Sequence, residues 1–143
     1  MSDHDAIRDL THRYADAVCR CDADAWGATW APDGVWDMGG GRVVEGRDAV
    51  VQTWTAAMGG FHAVMHFITN GTATLGGDSG TGRWYVNEYL ALPDGGRTSF
   101  YAYYDDEYVR IGGNWLFGRR TLVPLYAGPT DLSAPFLLAT PDG

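Results

Sequence analysis

Three side chains in this 143-residue chain combine proton chemistry with apolar surroundings. His66 lies in "HAVMHFITN", residues 62–70. Side chains alternate along a strand, so His66 shares a face with Val64 and Ile68, and with His62 and Asn70. Glu88 lies in "GRWYVNEYLAL", where the same alternation groups it with Trp84, Val86, Leu90 and Leu92. Tyr14 belongs to the apolar stripe of an N-terminal helix. An imidazole, a carboxyl group and a phenol converging in one apolar pocket would be equipment for general acid–base chemistry. Each also has a structural reading. A strand histidine is commonly hydrogen-bonded, a helix tyrosine commonly gives its hydroxyl to a carbonyl, and Glu88 could pair with Arg83 or Arg120. Their shared inward placement is what favours a site.

Other chemistries fit less well. His62 and His66 would stand about 13 Å apart on a strand, too far for one ion, and no cysteine cluster assists them. Gly39-Gly40-Gly41 is followed by a strand, so it reads as a turn and not as a phosphate cradle. No serine sits in a nucleophile elbow. Neither a metal nor an organic cofactor is expected. A formal charge of −8 argues against nucleic acid and against anionic membrane surfaces. No apolar run approaches the roughly 20 residues that span a bilayer. Cys19 and Cys21 point in different directions on one helix, so a disulfide between them is not expected. With no export signal at the N-terminus, a cytoplasmic location is expected. A small hydrophobic molecule remains as the partner class.

The positioning elements follow from periodicity. Ile7, Leu10, Tyr14, Ala17 and Val18 recur at helical spacing. Asp22 caps a second helix carrying Trp26 and Trp30, which "APDG" (31–34) closes as a turn. "VWDM" and "RVVEG" are short strands, and residues 47–58 form a third helix with Val50, Trp54 and Met58 buried. Four long strands are expected at about 62–75, 80–92, 97–110 and 114–125, joined by hairpin connections. Helices first and an antiparallel meander after make an α+β fold, with the helices on one face of a curved sheet. The strands are apolar on both faces: Val64 and Ile68 on one, Phe61, Met65 and Phe67 on the other. A second copy covering the outer face, as a homodimer or higher homo-oligomer, is therefore expected. Residues 1–125 read as one domain and 126–143 as an extended C-terminal arm with an apolar "PFLL" patch.

Several stretches carry a family resemblance. They are "IRDLTHRYADAV", "APDGVWD", "EGRDAV", the H-x-x-x-N at 66–70, "GRWYV" and "YYDDEYVRIGGNWLFGRR". In this order they resemble the SnoaL-like family of the nuclear transport factor 2-like superfamily. The resemblance implies a cone-shaped curved sheet wrapped round N-terminal helices, with a pocket inside and frequent dimerisation. Its enzymes include scytalone dehydratase, bile acid 7α-dehydratase, a dehydrochlorinase, isomerases, epoxide hydrolases and polyketide cyclases. Non-catalytic binding members also exist. On the dehydratase pattern the catalytic histidine falls on His66, the helix-one tyrosine on Tyr14 and the strand carboxylate on Glu88. Two positions depart from it: Cys19 stands where a helix-one aspartate orients the histidine, and Met38 where a pocket tyrosine is found. A neutral thiol cannot stabilise an imidazolium as a carboxylate would. The implied activity is a cofactor-independent lyase or isomerase acting on a steroid, terpenoid or polyketide ring. Trp26, Trp30, Met38, Trp54, Trp84, Tyr104, Phe117 and Cys19 are the expected substrate contacts. A binding module without chemistry, or a cyclase or epoxide hydrolase, is the alternative.

Overall fold

The computed structural model describes residues 1–137. Helix α1, Asp3–Arg20, starts at a capping box in which Ser2 and Asp5 satisfy each other's backbone N–H. It buries Ile7, Leu10, Tyr14, Ala17 and Val18 along one face, and ends with Cys21 in the left-handed conformation at φ 53°. Asp22 accepts from the Ala25 N–H and opens the short helix α2, Ala23–Gly27. Strand β1 then covers Trp30–Asp37 and β2 covers Val43–Glu45. Helix α3, Arg47–Met58, follows, with Val50 and Trp54 buried. Strands β3 (Ala63–Gly76), β4 (Ser79–Ala91), β5 (Arg97–Ile111) and β6 (Asn114–Gly128) complete the chain.

One open, curved six-stranded sheet results, in the order β2-β1-β6-β5-β4-β3. The helices lie on its concave side, as the α+β reading required. All neighbours are antiparallel except β1 and β6, which run parallel. The long excursion through α3 and the meander supplies the crossover that a parallel pair needs.

Two local readings are corrected. Trp30 is not on the second helix, and "APDG" is not a closing turn. Both belong to β1, whose pairing with β6 shifts register between Trp30 and Val35. Arg47 holds that irregular start by donating from its guanidinium to the Trp30 carbonyl. The second correction concerns Asn70. Ile68 pairs with Val86 and Asn70 with Tyr85, so Thr69 is an extra residue. A bulge of this kind reverses the side-chain alternation beyond it. Asn70 therefore joins Tyr85 on the convex face, while Gly71 takes the inward position opposite Trp84. Phe61 precedes β3 and turns inward, not onto the outer face with Met65 and Phe67.

The arm begins later than residue 126, because β6 continues to Gly128. Residues 129–137 fold back on the convex face of β6. The Leu137 N–H donates to the Leu125 carbonyl at 2.8 Å, and Phe136 packs edge-on against Tyr126 at 5.6 Å. Leu138, the last residue of "PFLL", and the residues after it lie outside the described residues.

Candidate active site

His66 and Glu88 are direct cross-strand partners on β3 and β4. His66 Nδ1 stands 2.8 Å from Glu88 Oε1. An ionised carboxylate only accepts hydrogen bonds, so Nδ1 carries the proton and Nε2 is left with its lone pair. That Nε2 is buried and meets no protein partner. His66 is 1% exposed, whereas the Glu88 side chain keeps 22% of its surface. Glu88 pairs with neither arginine, since Arg83 is bound to Asp105 and Arg120 to Asp106.

Tyr14 comes from α1 and packs its ring 5.6 Å from the His66 ring. Its hydroxyl lies 3.4 Å from that of Tyr104 on β5. Both phenols are fully buried. Burial pushes Tyr14 above the usual phenol range, partly offset by the Arg120 cation. Burial pushes Tyr104 well above that range, and the neighbouring Tyr14 adds to the shift. The two hydroxyls are thus neutral donors at ordinary pH.

These four groups line one cavity of about 200 Å³. Apart from Arg42 on the β1–β2 turn, its other walls are apolar, with Trp54 and Met58 from α3, Phe100 and Leu122 from the sheet, and Met38 from the turn. The cavity is smaller than the roughly 300–1,000 Å³ of typical ligand pockets. It suits one or two fused rings better than a steroid nucleus. Helix α1, strand β3 and strand β4 all contribute polar groups to it, because the stripe of α1 crosses the concave face where Val64 and His66 look inward.

The other expected contacts go elsewhere. Trp26 and Trp30 are fully buried beneath the cavity, with Trp26 stacked on Trp54 at 4.6 Å and 9°. Phe117 is also fully buried, against Tyr14 and Arg120. Trp84 donates its indole N–H to the Tyr108 hydroxyl at 2.9 Å and does not reach the cavity. All four belong to one buried core cluster between the helices and the sheet. Cys19 does not line the cavity either. Its thiol accepts from the His66 N–H at 3.2 Å and donates to the His66 carbonyl at 3.4 Å. Strand β3 is the sheet edge, and Cys19 satisfies backbone groups that no further strand can pair. His62 stands at the exposed start of β3, away from His66.

Sequence reasoning passed over a second polar cluster. Arg120 donates twice to Asp106, at 2.7 and 3.0 Å, with both side chains sealed from solvent. Tyr108 donates to Asp106 at 3.0 Å. The Arg120 guanidinium lies 4.0 Å from the Tyr104 ring centre and 4.5 Å from that of Tyr14. Burial works against the Arg120 charge, but the Asp106 carboxylate more than offsets it and holds the guanidinium protonated. The period-two run Tyr104, Asp106, Tyr108 was the available signal. Among the described residues no three His, Cys, Asp or Glu side chains converge as a metal cage.

The model of the SnoaL-like domain matches residues 1–121. The chain belongs to the SnoaL-like domain family. Solved structures similar to this SnoaL-like chain include a candidate aromatic ring hydroxylase from Novosphingobium aromaticivorans. It is 27% identical with a TM-score of 0.80, over 90% of this chain and 94% of that one. A candidate scytalone dehydratase from the same organism is 21% identical with a TM-score of 0.80, over 92% and 88%. The hexachlorocyclohexane dehydrochlorinase LinA type 2 is 22% identical with a TM-score of 0.81, over 95% and 92%. At such identities the last two bear on the fold alone. No curated protein matches the chain. Among the described residues no helix is long and apolar enough to cross a membrane.

Proposed function

We propose that this SnoaL-like protein is a cofactor-independent lyase or isomerase of the dehydratase type, acting on a small cyclic ketone or β-hydroxy ketone. The observation that carries the reading is the His66–Glu88 pair at 2.8 Å with Nε2 unpartnered in an apolar cavity. His66 Nε2 takes the proton from the carbon beside the carbonyl. Glu88 holds the imidazole in the required tautomer and stabilises the imidazolium. Tyr14 and Tyr104 donate to the carbonyl oxygen as it gains charge. In a β-hydroxy ketone the carbon–oxygen bond then breaks, and the imidazolium returns its proton to the leaving hydroxide as water. In an isomerase the same proton returns to another carbon. Glu88 thereby fills, from β4, the place that a helix-one aspartate holds in the dehydratase pattern.

The test uses 3-hydroxy-1-tetralone, a two-ring β-hydroxy ketone whose dehydration gives fluorescent 1-naphthol. Deuterium uptake at the α-carbon of 2-tetralone reports the proton-transfer step alone. The wild type is expected to accelerate one or both. His66→Ala should lower that rate by about 10²–10⁴-fold, the usual worth of a positioned base, with circular dichroism unchanged. Full activity in that variant overturns the mechanism.

A binding role without chemistry is the second reading, favoured by Cys19 being committed to the His66 backbone. Tight 1-naphthol binding with no deuterium uptake would support it. The protein is also expected to pair with a second copy through the convex face. There Met65 and Phe67 are 50% and 48% exposed, and Phe67, Tyr89 and Tyr101 form an aromatic row that ends at Tyr126, which the chain's own Phe136 covers. A monomer mass by light scattering at micromolar concentration would rule that out.

A further inference from the structure

Among the described residues, Arg42 is the one arginine or lysine in the wall of the cavity. It stands on the turn between β1 and β2, where Gly39, Gly40 and Gly41 all have positive φ, at 80°, 63° and 82°. Three consecutive residues in that region demand glycine. The turn is closed by the Met38 N–H donating to the Arg42 carbonyl at 2.9 Å and the Arg42 N–H donating to Gly39 at 3.1 Å. It is anchored by Asp37, which accepts from the Gly39 N–H at 3.0 Å. The backbone therefore delivers residue 42 to the cavity mouth in a defined place.

The guanidinium itself is unclaimed. Among the described residues it pairs with no carboxylate, and its own contact is a long one of 3.4 Å to the Met38 carbonyl. The other arginines behave differently. Seven face a carboxylate. Arg47 is spent on the Trp30 carbonyl and Arg97 on those of Gly95 and Gly96. Asp37, the carboxylate nearest in the turn, is already bound to Arg119 at 2.8 Å. In a chain with a formal charge of −8, an unpaired cation at the mouth of an apolar cavity is a local exception to a field that repels anions.

We infer that Arg42 binds an anionic substituent, a carboxylate or its equivalent, on the substrate's ring, so that the substrate is an acidic one- or two-ring compound. This rests on the proposed function for the position of the ring. The carboxylate sits at the mouth, in water on one side, and the carbonyl or hydroxyl reaches inward to Tyr14 and Tyr104. A planar guanidinium meets a carboxylate with two parallel hydrogen bonds, which fixes the ring's orientation as well as its affinity. Glu88, bonded to His66 in the same cavity wall, repels a carboxylate brought to its side and so disfavours the reversed orientation.

The experiment compares 6-hydroxy-2-naphthoate with 2-naphthol by calorimetry, in wild type, Arg42→Gln and His66→Ala. Arg42 is exposed and its guanidinium makes one long hydrogen bond, so Arg42→Gln is expected to keep the melting temperature. The wild type is expected to bind the naphthoate at least tenfold tighter than the naphthol, a preference that weakens with salt. Arg42→Gln should abolish the preference while changing naphthol affinity less than twofold. His66→Ala should retain it. Equal affinities in the wild type, no naphthoate binding at millimolar concentration, or a preference that survives Arg42→Gln each overturn the inference. Because binding is read without turnover, an inactive protein with an intact Arg42-dependent preference would sink only the acid–base reading.

Discussion

The concave face holds two polar pairs built the same way and enclosed differently. His66 and Glu88 are cross-strand partners on β3 and β4, and Asp106 and Arg120 are cross-strand partners on β5 and β6. Both pairs bond at under 3 Å, at 2.8 and 2.7 Å. Around Asp106 and Arg120 the space is filled. Gly71 and Gly82 carry no Cβ, which would overlap the Trp84 ring and the Tyr108 hydroxyl respectively. Trp84 and Tyr108 lie down over those glycines, Tyr108 bonds Asp106, and the rings of Tyr14, Tyr104 and Phe117 cover the Arg120 guanidinium. Each pair leaves one buried nitrogen without a hydrogen-bond partner among the described residues, Arg120 Nη1 and His66 Nε2. Arg120 Nη1 is packed among aromatic rings, whereas His66 and Glu88 border a gap left by the helices and Glu88 reaches solvent. A polar pair with every surrounding space filled is confined to supporting structure, whereas one that borders a gap is placed to meet a ligand.

The comparison breaks most visibly at the sealed pair. Asp106→Ala leaves the Arg120 cation buried without its carboxylate, which typically costs about 3–5 kcal/mol. Urea denaturation should register that loss, far beyond the effect of any change at Glu88. A small change would mean that water reaches Arg120 and that the two pairs are not opposites.

Glu88→Gln sharpens the contrast from the other side. It replaces a charge-assisted hydrogen bond, worth about 1.5–3 kcal/mol, by a neutral one. Most of that should appear in the rate, as a loss of roughly 10–100-fold, with the denaturation midpoint nearly unmoved. Equal losses in stability and rate would make Glu88 a structural residue.

The smallest effect concerns the phenols that lie between the pairs. Tyr14 and Tyr104 are held above their ordinary value of 10.0 by burial. In the unfolded chain they ionise near that value, whereas in the fold they resist ionisation. Their contribution to stability is therefore complete below about pH 10 and is lost as pH rises through the raised folded values. Denaturation midpoints should be level from pH 8 to about 10 and fall above it, less steeply in Tyr104→Phe. A level profile to pH 12 would show that the buried phenols do not govern alkaline unfolding.

Much of the site was legible because its rules are local. Alternation along a strand put His66 with Val64, and Glu88 with Val86 and Leu90, and helical spacing put Tyr14 inward. These are consequences of backbone geometry that hold before any packing occurs. The His66–Glu88 partnership does not follow from the turn alone, because the register set at Gly76 and Ser79 would place Tyr89 opposite His66 and the extra residue at Thr69 brings Glu88 there instead. What alternation could not supply was its own interruption. The extra residue at Thr69 turned Asn70 outward, and the register shift in β1 took Trp30 from a helix into the sheet. A bulge is decided by what both faces of the finished sheet must accommodate.

Residue type and order alone thus determined the fold class, the helix and strand faces, and the acid–base groups presented inward. Tertiary structure decided which aromatics became wall and which became core. Trp54 and Tyr104 reach the cavity, while Trp26, Trp30, Trp84 and Phe117 fill the space beneath or beside it. It also gave Cys19 to the backbone of the edge strand and brought Arg42 to the mouth. The physical reason is that a face is a property of one element, whereas a cavity is the volume that several elements fail to fill together.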